Sequence, residues 1–76
     1  MPIGGTNWKR TFDMEEFQHR VVNERLELDV KIGLLAGFVR TGIFKELPPA
    51  EAARMERQLS IMREYSEVLG ERIAAF

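Results

Sequence analysis

Residue types that do chemistry are few in this 76-residue chain. There is no cysteine, so disulfides and thiolate metal sites are excluded. His19 is the only imidazole, and no second ligand stands at a spacing that would complete a zinc site with it. The hydroxyls of Thr6, Thr11, Thr41, Ser60 and Ser66 have no nearby base apart from that distant histidine, so no nucleophile–base pair is in view. No glycine-rich loop precedes a lysine in the manner of a P-loop. Glu15 with Glu16, and Glu64 with Glu67, come closest to paired carboxylates. Acids and bases nevertheless interleave along the chain as they do on a solvated helix face. The expectation is a protein that binds rather than turns over: not an enzyme, with no metal and no cofactor.

Binding chemistry is better supplied. Lys31 stands four residues after Glu27, the favourable order for a helical ion pair, and Arg72 stands where a base complements the end of a helix dipole. Both cations would also serve an anionic ligand if symmetry gathered several copies around it, because the forked donors of arginine match phosphate. His19, two residues after Phe17 and off the apolar stripe, reads as an exposed polar residue or as a contact to a ligand base or phosphate at a subunit seam. Trp8 lies among the turn formers Gly4, Gly5, Thr6 and Asn7. A large aromatic there needs a surface to dock on, either this chain, a neighbouring copy or a ligand ring.

These residues are carried by two helices. Residues 1–11 read as an irregular arm. Asp13 is the expected N-cap of the first helix, with Glu16 completing a capping box and Phe12 with Phe17 forming a hydrophobic staple. The helix is predicted over 13–40, roughly 40 Å long. Phe17, Val21, Leu28, Ile32, Leu35 and Val39 recur at spacings of 4, 7, 4, 3 and 4, which is one helical face. Gly33 and Gly37 flatten or kink its second half, and Gly42 suits the residue just past its end. Ile43, Phe44 and Leu47 are expected to tuck under the corner. Pro48 and Pro49 pre-set a second helix over 49–74, with Glu51 in its first turn. Met55, Leu59, Met62, Leu69 and Ile73 give it a heptad-like seam in which Ser66 fills the missing step, Phe76 continues the series, and Tyr65 and Val68 widen the stripe. The fold class is all-α: one domain, an antiparallel two-helix hairpin with a short N-terminal arm.

One seam does not hide the apolar content. Leu26, Val30, Leu34 and Phe38 lie off the stripe of the first helix, and Ile61 and Val68 off that of the second. Each such side chain gains about 1.5–3 kcal/mol on burial, and monomers seldom expose a contiguous patch of them. With no cysteine to staple so small a chain, self-association into a homo-oligomer is the expectation, and capture of a foreign protein is the alternative. The formal net charge of −1 argues against binding polymeric nucleic acid, which needs an excess of Lys and Arg. The N-terminal MPIGGTNWKR lacks the apolar core of a signal peptide, and no run approaches the roughly 20 apolar residues of a membrane span. No membrane partner is expected, and the cytoplasm is the expected location.

Several segments together resemble a known family. Phe17-Gln18-His19-Arg20-Val21-Val22-Asn23-Glu24 is followed by Leu26-Glu27-Leu28-Asp29 and Lys31-Ile32. Later come Gln58-Leu59, Met62-Arg63-Glu64-Tyr65-Ser66 and Leu69-Gly70-Glu71-Arg72-Ile73. Over roughly residues 12–75 the pattern is similar to the small helical proteins first described as a crAss-phage-related family, which includes the phage anti-CBASS sponges for cyclic oligonucleotides. That resemblance implies a homo-oligomer, typically a hexamer, in an infected bacterial host cell. It implies cyclic dinucleotides held between protomers, in some members cyclic trinucleotides at separate three-fold sites, and sequestration of the ligand without cleavage. By position in the family pattern, Lys31 is the expected phosphate contact of the dinucleotide pocket. Phe17 lies near the aromatic that stacks a base, and Arg72 is the expected phosphate contact of the trinucleotide site.

Overall fold

The computed structural model describes residues 15–76. Among them run α1, Glu16–Phe38, α2, Gly42–Lys45, and α3, Pro49–Ala74. Phe17 of α1 meets Phe76 just past α3, whereas Arg25, further along α1, meets Ser66, earlier on α3. Residue number therefore falls along one long helix as it rises along the other, and the pair is an antiparallel hairpin.

The seam between them is narrow. Val21 and Leu28 of α1 and Leu59, Ser66 and Leu69 of α3 are buried, with Leu69 the most enclosed at 1% exposure. Ile32, Met62 and Ile73 pack against the cluster that Val21, Leu28 and Leu69 form. The opposite face of α1 is left bare: Leu26, Val30 and Leu34 are mostly exposed, Leu34 at 71%. Tyr65 and Val68 do not widen the seam; with Ile61 they face outward on α3. A position two or more steps off the seam axis points past the single facing helix, so among the described residues no element covers it. Gly33 and Gly37 lie within one uninterrupted helix, and a Cβ at either would meet no neighbouring atom.

The helix ends differ from those read in the sequence. α1 starts at Glu16, with Glu15 as an extended N-cap whose backbone N–H donates to Gln18 Oε1 at 2.9 Å. Glu15 and Gln18 form a capping box at this helix start, two residues further on than the Asp13 and Glu16 box expected from the sequence. The arm at 1–11, Trp8, Phe12 and Asp13 lie outside the described residues. At the other end α1 stops at Phe38, not Arg40, and no described glycine adopts positive φ, so Gly42 is not a left-handed cap. Thr41 does that work instead. Its Oγ1 donates to the Phe38 carbonyl at 2.7 Å and accepts from the Phe44 N–H at 3.4 Å, closing α1 and opening α2, in which Gly42 is the first residue. Phe44 packs edge-to-face on Phe38, with centroids 6.1 Å apart, and Leu47 is half-buried. Ile43, expected under the corner, is 63% exposed. Pro48 is extended and Pro49 opens α3, where its missing N–H costs no helical hydrogen bond.

Candidate functional site

The hairpin has an open end, where α1 begins and α3 finishes. Phe17 and Phe76 meet there edge-to-face, centroids 5.8 Å apart and planes at 77°. Both stay about half exposed, at 54% and 41%, so the pair is an aromatic surface and not a core contact. Arg72, in the last turn of α3 and four residues before Phe76, is exposed at the same end of the hairpin. Its place in the last turn also lets it complement the helix dipole.

Lys31 is exposed on α1. Among the described residues the i,i+4 ion pair forms between Glu16 and Arg20 at 3.2 Å, and Arg25 approaches Asp29 to 3.9 Å, but none joins Glu27 to Lys31. At roughly 100° and ~1.5 Å per residue, Phe17 and Lys31 fall within about 40° of each other around α1 and roughly 21 Å apart along it. Phe17 and Arg72 therefore share one end of the hairpin, while Lys31 lies well along the same flank. One copy does not gather the three residues around a small ligand. A pocket that joins a distant pair of them takes a residue from a second copy. His19 is exposed in the first turns of α1.

A second polar constellation was not read from the sequence. Ser66 is buried within the apolar seam and is hydrogen-bonded on both counts. Its hydroxyl donates to Asp29 Oδ1 at 2.6 Å and accepts from Arg25 Nε at 3.3 Å. Arg25 reaches it by crossing α3 at Gly70, where a Cβ would stand 2.8 Å from the guanidinium carbon. The absent side chain makes the notch in which Arg25 lies. A serine filling a core step, with Gly70 four residues later and an Arg25–Asp29 pair on the facing helix, is the signal that could have found it. A serine in such a seam needs a polar partner from across it. The latch ties α3 to α1 across the seam.

Gly70→Ala tests this directly. The helix gains about 1 kcal/mol in propensity, while Arg25 is pushed off Ser66 at a cost of about the same size. The net change in wild-type background is expected to be small. In an Arg25→Ala background nothing opposes the gain, and the same substitution is expected to stabilise by about 1 kcal/mol. A double-mutant cycle by chemical denaturation reads the coupling; additive effects would show that the notch does not serve Arg25.

Among the described residues no group of three or more His, Asp or Glu side chains is placed to hold a metal ion. No described helix is long and apolar enough to cross a membrane. A family model described as Sequestin matches residues 15–75, which takes in both long helices and the corner between them. No curated protein and no solved structure matches the chain.

Proposed function

Because this chain belongs to the Sequestin family, we propose that it is a sponge: a homo-oligomer, a hexamer by family resemblance, that binds cyclic di- and trinucleotide second messengers in the bacterial cytoplasm without cleaving them. By holding the messenger it denies it to the CBASS effectors that the messenger would activate, to the benefit of an infecting phage. The observation that carries this reading is the family match across both helices, since the family's name denotes sequestration.

The geometry supports it in particulars. A cyclic dinucleotide presents bases to stack and phosphates to pair. Phe17 offers a half-exposed ring, and Lys31 an exposed ammonium with no carboxylate paired to it among the described residues. Their separation suits pockets built between copies. Arg72, exposed at the open end, is the proposed phosphate contact for a trinucleotide where three copies meet.

The uncovered apolar side chains Leu26, Val30 and Leu34 favour one other reading, a helical module that grips a host protein. Calorimetric titration with a panel of cyclic di- and trinucleotides separates the two. The sponge reading expects saturable binding, a raised melting temperature with ligand, and intact ligand recovered after heating the complex. Absence of heat with every ligand would overturn it in favour of the interaction module. Recovery of linearised ligand would overturn it in favour of a hydrolase.

A further inference from the structure

Each long helix skips one step of its apolar seam. On α1 the step from Val21 to Leu28 is seven residues, and Arg25 stands in it. On α3 the step from Met62 to Leu69 is also seven residues, and Ser66 stands in it. The structure lays one gap against the other. Arg25 Nε donates to Ser66 Oγ at 3.3 Å, and Ser66 Oγ donates to Asp29 Oδ1 at 2.6 Å. The Arg25 guanidinium lies over Gly70. Among the described residues no buried side-chain nitrogen or oxygen is left without a partner.

We propose that this polar layer is the register key of the hairpin. A heptad repeat does not fix its own register. Moved along α1 by one heptad, about 10 Å, α3 still sets most of its apolar seam against Val21, Leu28 and Ile32. The connection permits such a slip. Residues Val39 to Pro48 reach roughly 30 Å when extended, and α2 between them has no buried residue. The slipped registers lose the polar layer. Moved one way, Ser66 comes beside Ile32 and Ala36, seven residues beyond Arg25 and Asp29, and neither can accept or donate through its side chain. Arg25 then faces Ile73. Moved the other way, Ser66 comes beside Gln18 and Val22, and Gln18 Oε1 already accepts from the Glu15 N–H. Arg25 then faces Leu59 and Arg63. Either slip breaks two layers of the seam where the native register breaks one, and it leaves a serine hydroxyl to be buried without its partners. A single polar step in an apolar seam sets register in this way at a cost in stability. The register also holds Phe17 against Phe76 at the open end; one heptad of slip would part them by about 10 Å.

The distance between two spin labels tests this, because the chain has no native cysteine. Asn23 on α1 and Glu56 on α3 are exposed, and Asn23→Cys with Glu56→Cys supplies the labelling sites. With Arg25 level with Ser66, the two sites are offset by roughly 18 Å along the hairpin, so a slip changes their distance. Labelled chain is diluted into an excess of unlabelled chain, so that each measured pair lies within one copy. The native seam is expected to give one distance. Arg25→Leu with Ser66→Leu makes both seams continuous. It is expected to raise the urea midpoint and to add a second distance, shifted by up to about 10 Å and held by about a tenth of the pairs or more. Ser66→Leu alone is expected to show the same second distance in a smaller share. One unchanged distance in both variants would overturn the register key and leave the register to the corner. Several distances with the native seam would overturn it as well.

Discussion

Leu69→Ala is expected to lower the unfolding free energy by about 3 kcal/mol, within the range found when a buried leucine is truncated. Leu69 is the most enclosed side chain among the described residues, at 1% exposure, and it shares one cluster with Val21 and Leu28. A chain of this size has a total stability on the order of 4–11 kcal/mol, so the loss is a large share of it. It corresponds to a fall in melting temperature of roughly 12–24 °C. Among the described residues the hairpin is a single layer, and no further long helix closes over the void. The lost contacts are therefore not recovered by collapse, except at the flanks where Met62 and Ile73 can shift. Denaturation by urea, followed by circular dichroism, measures it. A loss under about 1 kcal/mol would mean that the seam around Leu69 is not the centre of the fold. The same variant reports on assembly. If copies support one another, the midpoint rises with protein concentration in both proteins, and Leu69→Ala shifts the whole curve without removing that slope.

The seam was legible in the sequence because its periodicity is strong. The spacing of Val21, Leu28 and Ile32 against Leu59, Met62, Leu69 and Ile73 has one economical solution, two helices laid antiparallel across a proline turn. Where local signals competed, the structure differs. Asp13 with Glu16 and Glu15 with Gln18 are both capping boxes by residue type, and local chemistry alone does not rank two boxes set two residues apart. At the corner, the propensity of Gly42 for a left-handed cap competed with the capping hydroxyl of Thr41, and Thr41 prevailed by bonding both helices at once. The outward placing of Tyr65 and Val68 follows from a property that a one-dimensional count hides. Two heptad seams one residue apart look like one wide stripe until the position of the facing helix is known. The Arg25–Asp29–Ser66 latch was missed for a related reason. Each member looks ordinary on its own helix, and only the crossing at Gly70 brings them together. Of the three ligand-binding residues expected, Phe17 and Arg72 come to one end of the hairpin and Lys31 does not. On the function proposed above, the three residues meet a ligand only when several copies contribute, which the periodicity of one chain does not describe.

Lys31→Ala and Arg72→Ala are expected to have opposite selectivity, and this pair carries the largest functional effect. Removing a charge-assisted contact to phosphate costs about 1.5–3 kcal/mol, or roughly 10- to 100-fold in affinity. On the proposed reading Lys31→Ala weakens a cyclic dinucleotide by that factor and leaves a cyclic trinucleotide close to wild type, while Arg72→Ala does the reverse. At a three-fold site Arg72→Ala removes three guanidinium groups at once, so its loss for the trinucleotide lies at the upper end of the range or beyond it. Neither residue has an ion pair among the described residues, and both are exposed. The hairpin itself should therefore melt within about 0.5 kcal/mol of wild type, which separates loss of ligand from loss of fold. Lys31→Arg keeps the charge and is expected to recover part of the dinucleotide affinity, which a purely steric effect at that position would not allow. Titration of both ligands into all four proteins decides the matter. If Lys31→Ala and Arg72→Ala weaken both ligands equally, there is one shared pocket, and Lys31, well along α1, must be brought to Arg72 by a second copy. If neither variant changes either affinity, the anion contacts lie elsewhere, and the exposed arginines of α3 at 54 and 57 become the next cations to remove.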